Sequence, residues 1–129
     1  MKRILWLSRH EMTKAQEARL RSSIPSGEDA IVKCLIHHVW QVSEDEEADN
    51  QHNAEMWKDI SKEADIIAGV FPPPAIVGLI MARGEADDGN EEFSDVRRIE
   101  VLTPVSRVSQ TMENGRRENR FTFLRWQRI

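Results

Sequence analysis

Residues 3–16, RILWLSRHEMTKAQ, decide the fold. The apolar run Ile4, Leu5, Trp6, Leu7 stops at a polar cluster, Ser8, Arg9 and His10. A helical pattern follows, with Thr13 at the N-cap position and Gln16 three residues on. Thr-x-x-Gln is a capping box, in which each side chain satisfies a backbone donor of the other residue. The stretch therefore predicts strand, polar turn, helix. In an open α/β sheet such a turn lies at the carboxyl ends of the strands, where ligands bind. Ser8, Arg9, His10 and Thr13 are the first site candidates.

The same alternation continues outward. Residues 14–22 form the helix, ended by Pro25-Ser26-Gly27, because proline and glycine together punctuate regular structure. Residues 30–42 (AIVKCLIHHVWQV) are β-branched and aromatic, which predicts a strand. His37 and His38 would face opposite sides of it, and Cys34 reads as a buried small hydrophobe. The acidic run 43–50 predicts a solvated loop, and 53–64 a helix with Met56, Trp57 and Ile60 on one face. Residues 65–70 (DIIAGV) have the continuous apolar pattern of a strand covered on both sides.

Phe71-Pro72-Pro73-Pro74 ends that strand and opens a helix over 75–83, with Gly84 as its C-cap. Its N-terminal amides are expected near any ligand at the sheet edge, beside Gly69 and Pro72. Residues 85–95 read as an acidic loop. Residues 98–105 read as a further strand entering a polar turn with Ser106 and Arg107. Asn114-Gly115 between extended segments predicts a closing hairpin. Phe121 and Phe123 alternate there with Thr122, Leu124 and Trp126. The expected architecture is one α/β domain over residues 1–129: a Rossmann-like sheet of about four parallel strands, helices on both faces, and a C-terminal antiparallel hairpin.

Bulk properties restrict the function. The chain has 129 residues, a single cysteine and no apolar run near the roughly 18 residues that span a bilayer. A cytoplasmic protein without internal disulfides is expected, with no membrane partner. Net charge is -4, against broad binding to duplex nucleic acid. The charge is segregated: residues 1–21 hold six Lys/Arg and two Glu, 22–95 four Lys/Arg and seventeen Asp/Glu, 96–129 eight Arg and three Glu. Basic ends meeting in space would make a local anion site on an acidic body. No CxxC or HxxxH occurs to nucleate a metal site, and no G-x-S-x-G to mount a serine nucleophile. Neither metal nor cofactor is called for. Leu7-x-Arg9-His10-x-x-Thr13 matches the opening motif of the histidine phosphatases, but Glu11 replaces their glycine and no histidine follows His52.

A looser pattern covers most of the chain. It comprises Ser8, Arg9, His10, Thr13 and Gln16; then Asp65, Gly69 and Pro72; then Ser106 and Arg107; and finally Gly115, Phe121, Phe123 and Trp126. In these the chain resembles small proteins of phages, mobile elements and type III CRISPR neighbourhoods. Among those are small accessory ring nucleases related to CARF (CRISPR-associated Rossmann fold) domains. Such relatives often carry a histidine in the final strand, where this chain has Leu124-Arg125. The resemblance implies a homodimer binding a cyclic oligoadenylate across its two-fold axis, to cleave it without metal or to sequester it. It implies His10 and Arg9 as catalytic residues, His10 as general acid or base, with Arg9 and Arg107 holding phosphates. Ser8, Thr13, Gly69, Pro72 and Ser106 would complete the binding surface. The competing expectation is a non-catalytic scaffold for a protein partner of a phage or mobile element.

Overall fold

Hydrophobic alternation along the first strand sets the layers. In the computed structural model, which describes residues 2–8, 10–24, 30–34 and 40–129, Ile4 and Trp6 are buried on one side of the sheet and Leu5 and Leu7 on the other. The elements in chain order are β1 (Lys2–Leu7), α1 (Lys14–Ser22), β2 (Ala30–Cys34), α2 (Glu46–Ser61), β3 (Ile66–Gly69), α3 (Pro73–Asp87), a 3-10 turn (Glu91–Phe93), α4 (Ser94–Arg98), β4 (Glu100–Glu113) and β5 (Arg116–Arg128). They form a mixed α/β architecture around one sheet of order β2-β1-β3-β4-β5. β1 pairs in parallel with β2 and β3, β3 in parallel with β4, and β5 runs antiparallel to β4. Leu5, Leu7, Ile67 and Val101 pack under α2 and α3, while Ile4, Trp6, Ile66 and Leu102 pack with Leu20 of α1.

α2 and α3 are held close by small and polar residues. A Cβ on Gly78 would stand 2.6 Å from Asn53 Cβ and 2.9 Å from Ala54 N, so the crossing requires glycine. Trp57, fully buried, donates its indole N–H to the Ala75 carbonyl at 2.8 Å and packs against Trp40 and Phe71. Asn53 clamps the segment before α2, accepting from Gln41 N at 2.9 Å and donating to Gln41 O at 3.0 Å. At the amino edge Arg98 donates to the Ser61 and Ala64 carbonyls, closing the end of α2, and pairs with Asp65 at 2.8 Å.

Several expected boundaries move. The acidic run is loop only as far as Asp45, which caps α2 by accepting from Ala48 N, while Glu46, Glu47 and Asp49 fill the first turn of the helix. Carboxylates are favoured there because the helix dipole presents its positive end. α3 starts on Pro73 and runs through Gly84 to Asp87 rather than over 75–83. Residues 85–95 are mostly helical, not loop. Residues 40–42 are not strand, and His37, His38 and the Pro25-Ser26-Gly27 turn lie outside the described residues, as do the surroundings of Cys34.

The largest correction concerns β4. Ser106 and Arg107 do not form a turn; the strand passes through them to Glu113, paired with Phe123 and Thr122. β3 accompanies β4 only to Leu102, so residues 103–113 and their β5 partners form a two-stranded ribbon, roughly 36 Å long, standing beyond the parallel sheet. Both its faces are largely exposed, so no burial pattern marked it in the sequence. Asn114 (φ 53°) and Gly115 (φ 76°) make the tip. The pairing skips Leu124, since Val105 faces Arg125 and Ser106 faces Phe123. This bulge sets Phe123 beside Trp126, their ring centroids 5.5 Å apart, where strict alternation would separate them.

Candidate functional site

The strand order reverses at β1: β2 lies on one side of it, β3 and β4 on the other. Such a switch point opens a crevice at the carboxyl ends of the two central strands. Here those ends are Leu7 and Gly69, register partners whose backbones come so close that a Cβ on Gly69 would lie 2.6 Å from the Leu7 carbonyl oxygen. Three crossover helices follow the parallel strands, α1 after β1, α2 after β2 and α3 after β3, and α2 opens among Glu44, Asp45, Glu46 and Glu47. Their amino ends differ in what they offer.

A helix start leaves four N–H groups without intrahelical partners. At α3 three of the four positions are Pro72, Pro73 and Pro74, which have no N–H, and the fourth, Ala75 N, donates to Pro72 O at 2.9 Å. The expected amide site at α3 is therefore corrected: nothing there is left to donate. At α1 the capping box forms as expected. Thr13 N donates to Gln16 Oε1 at 2.9 Å, and Gln16 N to Thr13 Oγ1 at 3.1 Å. The first-turn amides outside the box belong to Lys14 and Ala15. The preceding turn is braced from below, because the Trp6 indole N–H donates to the His10 carbonyl at 2.7 Å. His10 N donates to Ser8 Oγ at 3.2 Å, and His10 is exposed.

The remaining candidates divide by side of the sheet. Gly69 ends β3 and Pro72 is the N-cap residue of α3. Ser106, by alternation from Leu102, faces the α1 side with Trp126. Arg107 faces the α2–α3 side, and it has no carboxylate partner among the described residues. β3 separates β1 from β4, about 10 Å in all, so Ser106 and Arg107 rise from the same edge as the Ser8–His10 turn without touching it. Arg9 lies outside the described residues. Among the described residues no group of three or more His, Cys, Asp or Glu is placed to hold a metal ion, and no helix is long and apolar enough to cross a membrane.

The basic ends of the chain meet chiefly at the opposite, amino edge. Arg3 and Arg98 pair there with Asp65, and Arg128 with Glu100 at 2.6 Å. Asp65 accepts from the Arg3 backbone N–H at 2.8 Å, and this bond, with the two guanidinium groups, holds its carboxyl below the ordinary aspartate value. Sequence reasoning missed a groove of about 540 Å³ between α1 and the hairpin, where Arg19, Arg125 and Arg128 surround Trp126. Only the three-dimensional meeting of distant segments reveals it. It also missed a groove of about 780 Å³ at the start of α2, lined by Glu44, Asp45, Glu46, Glu47 and Met81. Compared with known proteins, the chain matches no family model, no curated protein and no solved structure.

Proposed function

We propose that the protein binds a cyclic oligonucleotide second messenger at the carboxyl edge of its sheet, over the turn between β1 and α1. One observation carries this reading. Of the three crossover helices, α3 has no free first-turn amide and α2 opens among Glu44, Asp45, Glu46 and Glu47, so α1 alone offers backbone donors, at Lys14 and Ala15, outside a carboxylate cluster and a few residues after Ser8 and His10. Amides at a helix start and a cationic side chain are a phosphate's ordinary partners. Arg9 supplies the guanidinium, and Arg107 meets a ring-shaped ligand from the far side of the edge. The Rossmann-like reading of the sheet agrees with ligand binding at its switch point. The cyclic oligoadenylate, and a homodimer around it, come from the resemblance.

Cleavage of such a ring needs little added chemistry. The 2′-hydroxyl of one nucleotide attacks the adjacent phosphorus, the bond to the 5′-oxygen breaks, and that oxygen takes up a proton. The protein's part is to align the attack and stabilise the charge that develops. An imidazole suits the proton transfers near neutral pH, and we assign them to His10.

Titration with cyclic tri-, tetra- and hexa-adenylate tests the reading. Binding of one ring is expected, weakened at least tenfold in Arg9→Ala. Turnover, if the ring is cleaved, is lost in His10→Ala while binding persists. No binding to any of the three rings ends the proposal. It would leave the non-catalytic scaffold, which one observation favours: the ribbon exposes Val108, Met112 and Phe121.

A further inference from the structure

One side of the hairpin carries a row of aromatic rings. Alternation along β5, with the bulge at Leu124, sets Phe121, Phe123 and Trp126 on the α1 side of the ribbon. Phe121 and Phe123 are two residues apart, about 7 Å along the strand. The ring centroids of Phe123 and Trp126 are 5.5 Å apart. Trp126 is fixed in place: its indole N–H donates to the Gln16 carbonyl at 3.0 Å, and its ring meets Trp6 edge-on. Phe121 is 73% exposed, so the outer end of the row is open. Beyond it the same side carries the cross-strand amides Gln110 and Asn119, then Met112 with Arg117. At the base of the row, Arg19 of α1 and Arg128 of β5 line the groove of about 540 Å³ together with Trp126. Cations therefore stand at both ends of the row and on its own side. Arg19 and Arg117 have no carboxylate partner among the described residues, and Arg128 is paired with Glu100 at 2.6 Å. Glu113 and Glu118, the carboxylates of the ribbon, point to the opposite side with Arg107 and Arg120.

We infer that this side of the arm binds single-stranded nucleic acid, its bases stacked along Phe121, Phe123 and Trp126. Arg117 holds phosphates at one end, Arg19 and Arg128 at the other. Surfaces that hold single strands without reading sequence combine aromatic faces with a cationic groove, since every base has a π face and every linkage a negative charge. Both parts occur here on one side. A duplex is the poorer occupant, because its paired and stacked bases have no free face to lay on a ring. An apolar protein surface would meet the rings but strip water from Arg19, Arg117 and the two amides without replacing its hydrogen bonds, which costs free energy. The Gln110 and Asn119 amides each offer a donor and an acceptor, as base edges do. Length agrees as well. Arg128 faces Leu102 and Arg117 faces Met112 across the hairpin, so the track is roughly 34 Å long, room for several extended nucleotides. This surface is separate from the turn between β1 and α1, so the inference does not rest on a cyclic ligand.

Fluorescence anisotropy with the full chain tests it, using labelled oligothymidylate and oligouridylate of about 12 nucleotides and a duplex of the same length. Both single strands are expected to bind with Kd between about 1 and 100 µM, the range of sequence-independent contacts, and more tightly than the duplex. The difference between the two strands reads whether the 2′-hydroxyl is contacted. Raising the salt should lower log K with a slope of about −2, roughly 0.7 for each of the three arginines. Phe121→Ala, an exposed change, should weaken binding at least about fivefold with unaltered far-ultraviolet circular dichroism. Arg19→Ala and Arg117→Ala should each weaken it and flatten the salt slope. Arg120→Ala, on the other side of the ribbon, should cost less than either. The inference is overturned by no binding at about 100 µM, by a duplex bound as tightly as the single strands, or by Phe121→Ala binding like the wild type. Sedimentation showing a dimer that Phe121→Ala dissociates, with no strand bound, would overturn it in favour of a second copy.

Discussion

Two glycines of α3 stand in opposite environments. Gly78 lies against α2, while a Cβ on Gly84 would meet nothing within 4 Å. The same substitution should therefore change sign along one helix. Gly78→Ala pushes α2 from α3 and should cost about 1–3 kcal/mol, as overpacking does. Gly84→Ala should stabilise by roughly 0.5–1 kcal/mol, because alanine gives up less backbone freedom in a helix. Urea midpoints of the two variants check the pair. Some single residues were legible beforehand: Thr13 with Gln16 and Asn114-Gly115 take the roles their chemistry announces, since capping and turn formation need only neighbours in sequence. Gly78 was not legible, because its constraint comes from Asn53 on another helix.

Among the elements, the ribbon differs most from expectation. Strands are legible when one face is buried, and residues 103–113 bury neither face fully, so a run of Ser, Arg and Gln resembled a turn. The acidic start of α2 was misread for the reverse reason: carboxylates that suggest solvent also suit a helix amino end. Because the ribbon adds little to the two cores, removing it should leave them standing. Replacing residues 107–122 by Asn-Gly, joined to Ser106 and Phe123, should preserve the helical circular dichroism and lower Tm by only a few degrees, about 1 kcal/mol or less. The measurement belongs at low protein concentration, so that association does not enter. A collapse of the helical signal would mean that the ribbon holds the sheet together.

At the scale of the whole molecule, two carboxylates link stability to pH. Asp49, buried on the inner side of α2, accepts from Ser43 Oγ at 2.6 Å, Ser43 N at 2.7 Å and Gln41 Nε2 at 2.9 Å. Those bonds, the Ser43 hydroxyl's foremost, hold its pKa below the ordinary 3.8 despite burial. Asp65 is lowered likewise. A carboxyl whose folded value lies below its unfolded one contributes fully at pH above the unfolded value. It loses that contribution as pH falls through the folded value. Stability should thus stay level from neutral pH to about 5 and drop below about 4. Asp49→Asn should start lower and fall less steeply, as urea midpoints taken across pH will read. A variant with the wild-type acid slope would place the linkage elsewhere. How the chain's halves meet was the least legible feature: net charge by segment suggested a basic cup at the ligand edge, yet Arg3, Arg98 and Arg128 pair off at the far one.

The bulge at Leu124 bears on how this chain can vary. β5 carries one residue more than its partner between the sheet and the tip, and that surplus decides which side chains stand with Trp126. Loss of Leu124 itself would keep every distal residue on its present side. Loss of any position from Arg120 to Phe123 would send its neighbours toward the base across to the other side, exchanging the oily and the wet surfaces of the arm. The parity of a residue count, rather than the identity of any one residue, therefore guards that surface.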